Sequence, residues 1–390
     1  MGPQNPDGLD RMEIGRRDFL KRAAALGAGL TAALTGKSLL AAAASSATAA
    51  KDDQKETRNV QPGIEYRRLG RTRFDVSALT FGCIQLDTDN LGVLDAAVDR
   101  GINLVHTNQG YTGGKSIRAL GQWFKTPGNR RRVFLALKPN PSGGRIQPID
   151  DDLRTLNTDH VDLLMVPLDN PESVAHPGIL ESFAAMKRAG KARRLGLTFH
   201  SNLGPIMQAG LKANFYDVFL PTYNMPAREA LKPLIPEAKQ KDIGLLTMKS
   251  TQGLRGDEDP VPVWRTLLED GIDAVLRTMT SRRQLDQFIR LAQKGERTAA
   301  QVSAADCTGL CTLCGACREC PGAVAIQDTL RTYQYYAEHR GWTDEARAQY
   351  AAIPPAARAM ACRDCGRCES VCPQRLNVRR LVREAHAYLA

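Results

Sequence analysis

Short apolar runs alternate with amphipathic stretches through the middle of the chain. Eight such runs lie between residues 76 and 278, and the stretches between them carry apolar residues at three-to-four spacing, as in Leu91–Arg100, Ile179–Ala189 and Gln284–Lys294. This alternation predicts strands buried on both faces and joined by helices, the pattern of a parallel sheet. The predicted strands are Val76–Cys83, Asn103–Asn108, Val133–Pro139, Val161–Pro167, Leu195–His200, Val218–Tyr223, Gly244–Ser250 and Asp273–Thr278.

The number of repeated units favours an α/β fold of the (β/α)8 TIM-barrel type. The competing fold, an open doubly wound sheet, normally has a glycine-rich loop after its first strand, and Phe81–Gln85 contains none. Barrels of this type carry their chemistry at the carboxyl ends of the strands. The predicted ends, with Tyr111 on the second loop, form an unusually polar set: Cys83, His106, Lys138, Pro167, His200, Tyr223, Lys249 and Arg277.

The cysteines are concentrated near the end of the chain. Nine of the ten lie between Cys307 and Cys372, and only Cys83 lies elsewhere. Packing in the core is the ordinary role of a single buried cysteine such as Cys83. Two runs each combine Cys-x2-Cys-x2-Cys with a final Cys-Pro, a spacing typical of two 4Fe–4S clusters in which the last cysteine of each run binds the other cluster. The crossed pattern predicts two ligand sets: Cys311, Cys314, Cys317 and Cys372, and Cys362, Cys365, Cys368 and Cys320.

Structural zinc is the alternative interpretation of these cysteines, but two separated Cys-x2-Cys pairs are enough for one zinc ion. The first run also departs from the standard form, because two residues rather than three precede its Cys-Pro. Cys307 has no assigned role and could replace Cys311 in a shifted register or remain a free thiol.

The N-terminus has the composition of an export signal. Adjacent arginines, Arg16 and Arg17, precede an apolar run, Ala23–Gly36, that is too short to span a bilayer. Small residues at Ala47–Ala49 suit signal peptidase, and the arginine pair resembles a twin-arginine (Tat) signal. We therefore predict a signal peptide over residues 1–50, a polar linker over 51–63, a periplasmic or other extracytoplasmic location, and a mature chain without a transmembrane segment.

Charge adds little to this picture. The formal net charge is +11, but the densest basic cluster, Arg130–Arg132, is only three residues long. Because the remaining arginines are scattered over predicted helix surfaces, we do not expect nucleic-acid binding.

The barrel segment resembles the aldo/keto reductase family. The resemblance rests on Tyr66–Thr72 (YRRLGRT), Gly101–Thr107 followed by Tyr111, Leu135–Lys138, Val161–Val166 and Met248–Lys249, and it covers about residues 64–296. It implies an Asp, Tyr, Lys and His tetrad, in which Tyr111 donates the proton and Lys138 lowers the pKa of that phenol. It also implies NADP(H) as cofactor, with Lys249, Ser281, Arg282 and Asn224 at the binding positions.

Three departures argue against standard NADPH-dependent carbonyl reduction. His106 stands where the family has the Asp, and Pro167 stands where it has the His. Proline offers no donor to a carbonyl oxygen. The segment Thr278–Phe288 also differs from the family's adenosine-binding pattern. His106 remains a candidate proton-handling group, and a cationic His106 would lower the pKa of Lys138 if the two were buried together.

Residues 297–390 resemble the α-helical ferredoxin domains of multi-subunit redox enzymes. The cysteine runs are separated by two predicted helices, Thr329–Arg340 and Thr343–Ala352, without a strand pattern. We predict an exported oxidoreductase that passes electrons between two 4Fe–4S clusters and a small-molecule substrate, with the Tat translocase and an unidentified redox protein as partners. The alternative is a non-catalytic electron-transfer or partner-binding module with a degenerate barrel.

Overall fold

The computed structural model of the protein describes residues 55–254, 258–295 and 309–390. The predicted export signal, the start of the predicted linker and Cys307 lie outside the described residues. Among the helices within these three segments, none is both long enough and apolar enough to cross a bilayer.

Eight parallel strands close into a barrel, which confirms the predicted fold. Each predicted apolar run overlaps one strand of this barrel, and the first and last barrel strands pair through the register Leu276 with Thr80. The closed cylinder leaves no unpaired strand edge. Its strands are Leu79–Gly82, Leu104–Asn108, Phe134–Lys138, Val161–Pro167, Ala192–Phe199, Val218–Pro221, Gly244–Thr247 and Ala274–Arg277.

The first predicted strand is divided in the structure. Asp75–Ser77 pairs antiparallel with Tyr66–Arg68, and the barrel strand begins only at Leu79. This hairpin covers the amino-terminal end of the barrel, where Phe74 stacks on Phe134 with ring centroids 4.4 Å apart. The predicted run Val76–Cys83 is therefore apolar for two reasons. Its first part belongs to the hairpin, whose apolar residues fill the interior of the barrel, and its second part is a strand of the barrel itself.

Helices on the outside of the barrel pack against the outward-facing apolar residues of the strands. The predicted helices at Leu91–Arg100 and Ile179–Ala189 are confirmed to within two residues, whereas the last one ends early at Phe288 and continues as a 3-10 turn, Ile289–Ala292. The barrel helices are Leu91–Asp99, Lys115–Phe124, Asn129–Arg132, Asp150–Thr155, Pro177–Arg188, Leu203–Ala213, Arg228–Leu231, Ile235–Gln240, Val261–Glu269 and Arg282–Phe288.

A buried carboxylate organises the amino-terminal end of the barrel. Asp162 is fully buried and accepts hydrogen bonds from Arg58 at 2.7 and 2.9 Å. Arg130 and Arg193 donate to the same carboxylate at 3.0 and 3.2 Å. Burial alone would raise the pKa of Asp162, but a hydrogen bond from His160 and the surrounding guanidinium groups hold it well below its usual range. Arg58 lies in the predicted linker, so part of that segment packs on the barrel.

The C-terminal segment is helical, as predicted, and the described residues 309–390 contain no strand. Its helices are Ile326–Arg331, the π-helix Thr332–His339 that continues it, Thr343–Ala351, Arg367–Ser370 and Val378–Leu389. One small core packs against the cysteines through residues such as Ile326, Leu330 and Val378. A second core gathers aromatic residues beside it, including Tyr335, Tyr336 and Tyr350.

Candidate functional site

A cavity of about 280 Å³ lies at the carboxyl ends of the barrel strands, where the sequence predicts a polar mouth. The helices of the C-terminal domain form its opposite wall, so neither domain encloses it alone. The residues from the barrel that matter for its chemistry are Cys83, His106, Tyr111, Lys138, Asp169, His200, Met248, Lys249 and Arg277. Those from the C-terminal domain are Arg331, Tyr335, Tyr336, Trp342, Glu345 and Gln349.

The three predicted catalytic residues come together in this mouth cavity. Tyr111 lies on a tight turn after the second barrel strand, and Asn108 fixes that turn by accepting from Gly110 N at 2.7 Å and donating to the Lys138 carbonyl at 2.7 Å. The Lys138 ammonium is 5.3 Å from the centre of the Tyr111 ring, and the His106 ring is 6.1 Å from it. The expected lowering of the Tyr111 pKa by Lys138 is wrong, because burial raises that pKa and keeps the phenol neutral and able to donate a proton.

The pKa of Lys138 is lowered, as predicted, but for a different reason. Burial lowers it to about 8, and among the cations nearby Lys249 has the larger influence. Burial also lowers the pKa of His106 to about 3, with a further contribution from Lys138. His106 is therefore neutral near pH 7, and the predicted repulsion by a cationic His106 is wrong, because desolvation acts on both groups.

A second histidine in the mouth is paired with a carboxylate. His200 Nδ1 lies 3.4 Å from Asp169, which also accepts the backbone N–H groups of His200 and Ser201 at 2.5 and 3.1 Å. Burial alone would raise the pKa of Asp169, but these partners bring it below its usual range, whereas burial lowers that of His200 to about 3. His200 follows the fifth strand, next to the position where Pro167 ends the fourth. The strand-end pattern identified His200 but not Asp169, which lies beyond its strand.

Tyrosines of the C-terminal domain contact the mouth directly. Lys249 Nζ donates to the Tyr336 hydroxyl at 3.0 Å and lies 4.9 and 5.1 Å from the ring centres of Tyr336 and Tyr335. Nearby, Thr251 Oγ1 is hydrogen-bonded to His339 Nε2 at 3.1 Å. Sequence reasoning missed these residues. The concentration of aromatic residues at Tyr333–Tyr336 could have indicated that this segment faces a site, but such residues more often pack in a core.

The four predicted cofactor-binding residues are not gathered in the mouth. Lys249 lines the mouth cavity. Asn224 is buried outside the cavity lining and donates to the Lys249 carbonyl at 3.2 Å. Ser281 and Arg282 are exposed at the start of helix Arg282–Phe288, where Ser281 accepts from Gln284 N at 3.2 Å and so caps the helix. Phe288 packs on Trp264, with Arg277 stacked 5.4 Å above its ring.

The cluster cysteines surround two neighbouring cavities in the crossed grouping. One cavity is lined by Cys311, Cys314, Cys317 and Cys372, and the other by Cys320, Cys362, Cys365 and Cys368. Cys317 and Cys368 line both cavities, and none of these eight cysteines forms a disulfide. Ile326 and Val378 form apolar walls on both.

Thiolates in groups of four against an apolar wall are the donor set that a 4Fe–4S cluster requires. In the part of the chain that the structure describes, no three or more cysteine, histidine or acidic side chains lie close enough together to hold a single metal ion. The donor set and the apolar walls of these cavities therefore fit 4Fe–4S clusters.

One continuous helical segment, Ile326–His339, connects a cysteine cavity with the mouth. Its first turn lines the cavity of Cys311 through Ile326, Gln327 and Leu330, and its next turns line the mouth through Arg331, Tyr335 and Tyr336. Gln334 in the same segment accepts a hydrogen bond from Cys311 N at 2.9 Å.

The same segment joins the two domains. Gln327 Oε1 accepts from Asn202 N at 2.9 Å, and its amide donates to Asn202 Oδ1 at 2.7 Å. Leu203 N donates to the Leu313 carbonyl at 3.1 Å. The loop after the fifth barrel strand is thus bonded to both the cysteine loop and the helix that lines the mouth.

Comparison with known proteins agrees with both halves of this architecture. The aldo/keto reductase family model matches residues 79–302, and a 4Fe-4S dicluster domain model matches residues 310–377. The aldo-keto reductase YhdN of Bacillus subtilis is 28% identical over 213 residues, which cover 49% of this chain and 63% of that protein. The NADP(+) aldo-keto reductase yakc of Schizosaccharomyces pombe is 29% identical over 157 residues, which cover 35% of this chain and 45% of that protein.

Among solved structures, a putative aldo-keto reductase from Pseudomonas aeruginosa is 26% identical, with a TM-score of 0.49, over 58% of this chain and 94% of that one. The chain spans less than two thirds of the curated relatives named above. The family match nevertheless covers more than half of this chain and coincides with the closed barrel. The chain therefore belongs to the aldo/keto reductase family and carries a C-terminal 4Fe–4S dicluster domain.

Proposed function

We propose that this protein is an iron–sulfur oxidoreductase in which electrons pass between two 4Fe–4S clusters and a small molecule in the mouth cavity. The observation that carries the proposal is the segment Ile326–His339, which lines both the first cysteine cavity and the mouth. Leu330 and Arg331 are adjacent residues that line the two cavities, so along the helix axis their backbones are separated by only ~1.5 Å. When bound, the clusters supply single electrons.

The side chains in the mouth are suited to proton transfer. A two-electron reduction of an organic substrate takes up two protons, and Tyr111 is a neutral phenol that can donate one. The pKa of Lys138, at about 8, is close to the operating range of a general acid near neutral pH. His200, whose Nδ1 faces Asp169, is a neutral imidazole whose other ring nitrogen can accept a proton on the side where Pro167 offers no polar group. Tyr111, Lys138 and His106 thus remain the candidate catalytic residues, with His200 added to them.

We further propose that electrons reach the mouth from the clusters rather than from NADP(H). Lys249, a predicted nucleotide contact, donates instead to Tyr336 of the C-terminal domain. Ser281 and Arg282 lie outside the mouth cavity, and Phe288 is buried in aromatic packing. A redox protein outside this chain would then be the electron donor or acceptor.

The deciding experiment is a redox titration of protein purified without air. Two clusters predict about eight irons and eight sulfides per chain. We expect dithionite to bleach the visible cluster absorbance and NADPH to leave it unchanged. Bleaching by NADPH would overturn the proposed electron route and restore the nicotinamide function implied by the family.

A tyrosine pair tests whether the mouth is catalytic. Reduced protein is mixed with a panel of small carbonyl compounds, and the rate of cluster reoxidation is followed. Tyr111→Phe should slow substrate-dependent reoxidation by about 10²–10⁴-fold, the usual value of a general acid. Tyr388→Phe is the control, because Tyr388 is 46% exposed and does not line the mouth. Unchanged reoxidation in Tyr111→Phe would favour the alternative of a non-catalytic electron-transfer module.

We also propose that the protein is exported by the Tat translocase to an extracytoplasmic compartment. The proposal rests on Arg16 and Arg17 before the apolar run, and on the need to insert clusters before export. Replacing both arginines with lysine should retain the precursor in the cytoplasm, as measured by cell fractionation. Equal distribution of the variant and the parent protein would contradict this route.

A further inference from the structure

The mouth cavity contains more cationic than anionic side chains. Two carboxylates line it, Asp169 and Glu345, and both have other partners. Asp169 is engaged by His200 and two backbone N–H groups, and Glu345 accepts from the Gln349 amide at 2.7 Å. The cations that line the same cavity are Lys138, Lys249, Arg277 and Arg331.

Neither lysine has an anionic partner. Among the described residues, no carboxylate oxygen lies within 4.0 Å of Lys138 Nζ or Lys249 Nζ. Lys138 faces the Tyr111 ring at 5.3 Å, and Lys249 donates to the hydroxyl of Tyr336. Burial lowers the pKa of each to about 8, which reflects the cost of holding two ammonium groups out of water without a counter-charge.

Unpartnered polar atoms point to the same absent group. His106 is only 4% exposed, lines the mouth, and its Nε2 atom has no hydrogen-bond partner. The Nε atoms of Arg277 and Arg331, which line the cavity on its other side, are also buried and unpartnered. Buried polar atoms are normally satisfied, so this concentration around one cavity indicates that a polar ligand completes the site.

We propose that the mouth binds its substrate through an anionic group, a carboxylate or a phosphate, held between Lys138 and Lys249. His106 faces the remainder of the molecule with its free Nε2 atom. This inference deepens the proposed function, since it names the substrate class for the same cavity and rests on that cavity being the substrate site. The lysines act as recognition groups here, and Lys138 retains its candidate role in proton transfer.

The size of the cavity limits the ligand. About 280 Å³ is slightly below the ~300–1,000 Å³ of typical drug-sized sites, so a small organic acid or phosphate ester fits better than a dinucleotide. The C-terminal domain contributes to this limit, because Tyr335, Tyr336 and Trp342 occupy the outer wall. The tyrosine contact also holds the Lys249 ammonium in place, near enough to Lys138 to lower the pKa of that lysine.

Calorimetric titration of the cluster-loaded full chain tests the proposal. The probes are inorganic phosphate, acetate and succinate, each measured in a non-coordinating buffer, with acetamide and succinamide as uncharged counterparts. We expect saturable binding of at least one anion and none of the amides. The phosphate and carboxylate arms distinguish the two sources of the anionic group.

Lysine variants connect that binding to the mouth. Lys138→Met and Lys249→Met should each weaken anion binding by about tenfold to hundredfold, the value of a charge-assisted hydrogen bond. Lys125→Met is the matched control, since Lys125 is exposed and outside the cavity, and should bind as the parent does. Circular dichroism and cluster absorbance verify that each variant is folded and loaded.

The outcomes separate this inference from the proposed function. Equal binding of acids and amides, no saturable binding of any probe, or anion binding unaffected by both lysine variants would overturn the anionic substrate class. Substrate-dependent reoxidation that depends on Tyr111 could still occur, and the proposed function would then stand alone. Lysine-dependent anion binding without any turnover would instead support the site and contradict the oxidoreductase.

Discussion

The mouth and the cysteine cavities assemble their functional residues over very different distances along the chain. The mouth combines strand ends between Gly82 and Thr278 with helical residues between Arg331 and Gln349. The cysteines that surround the two cluster cavities come from only two short runs, Cys311–Cys320 and Cys362–Cys372. A local spacing of thiols can be interpreted from sequence, whereas the mouth exists only after a barrel closes and a second domain covers it.

The crossed grouping of cysteines offers the largest test of this comparison. Cys314→Ala and Cys372→Ala alter different runs but the same cavity, so both should lose the same cluster and retain about four irons per chain. Cys365→Ala should lose the other cluster. Iron analysis and the electron paramagnetic resonance spectrum of the remaining cluster are the measurements.

The control for the cysteine series is Cys83→Ala, which removes a buried thiol from the barrel core and should keep about eight irons. If Cys372→Ala gave the same residual spectrum as Cys365→Ala, each run would bind its own cluster. The grouping around the two cavities would then not describe the ligand sets.

The next largest expected effect is a loss of stability at the amino-terminal end of the barrel, opposite the mouth. A substitution there should change the free energy of unfolding without changing the functional site. Asp162→Ala leaves Arg58, Arg130 and Arg193 without their shared buried carboxylate and should lower the free energy of unfolding by about 3–5 kcal/mol. Cluster content at low temperature should be unchanged, because the carboxylate lies far from both cysteine runs. Chemical denaturation measures the first quantity and iron analysis the second.

An exposed ion pair serves as the control for Asp162. Asp99→Ala removes the partner of Arg132 on the surface and should cost no more than about 1 kcal/mol. A similar loss in both variants would contradict the view that the buried network organises the amino-terminal end of the barrel.

The contact between the two domains gives the smallest expected effect. Gln327→Ala removes two hydrogen bonds to Asn202 and should destabilise the docked C-terminal domain by about 1–3 kcal/mol. Gln374→Ala removes one exposed contact to Glu229 and should change stability by about 0.5 kcal/mol or less. Urea midpoints of the loaded protein, followed by cluster absorbance, compare the two glutamines. Equal midpoints would show that the Gln327 bonds do not hold the domains together.

Much of the architecture followed from local patterns. The eight barrel strands were predictable because a strand buried on both faces needs a continuous apolar run, and the chain alternates such runs with helices. The division of Val76–Cys83 into a hairpin strand and a barrel strand was not predictable, because both segments are equally apolar. The grouping of Tyr111, Lys138 and His106 followed from the rule that strand ends meet at one face.

The electrostatics of the mouth depended on burial. Sequence reasoning assigned the lowered pKa of Lys138 to a cationic His106, but the structure buries both groups and leaves the histidine neutral. Asp169 and the tyrosine partner of Lys249 were also missed, since their positions in the chain give no sign that they face the same space.

The sequence by itself determined the class of this protein: a (β/α)8 barrel of the aldo/keto reductase family followed by a helical domain with two groups of cluster-type cysteines. The barrel follows from periodicity, the cysteine groups from short spacing and the family from motifs that resemble its members, and all three are local properties of the chain. Only the tertiary structure decided that the cysteine domain covers the mouth, and that Tyr336 meets Lys249 across 87 residues of chain. Such contacts depend on how two packed domains dock, because desolvation and pairing arise between segments that no local pattern relates.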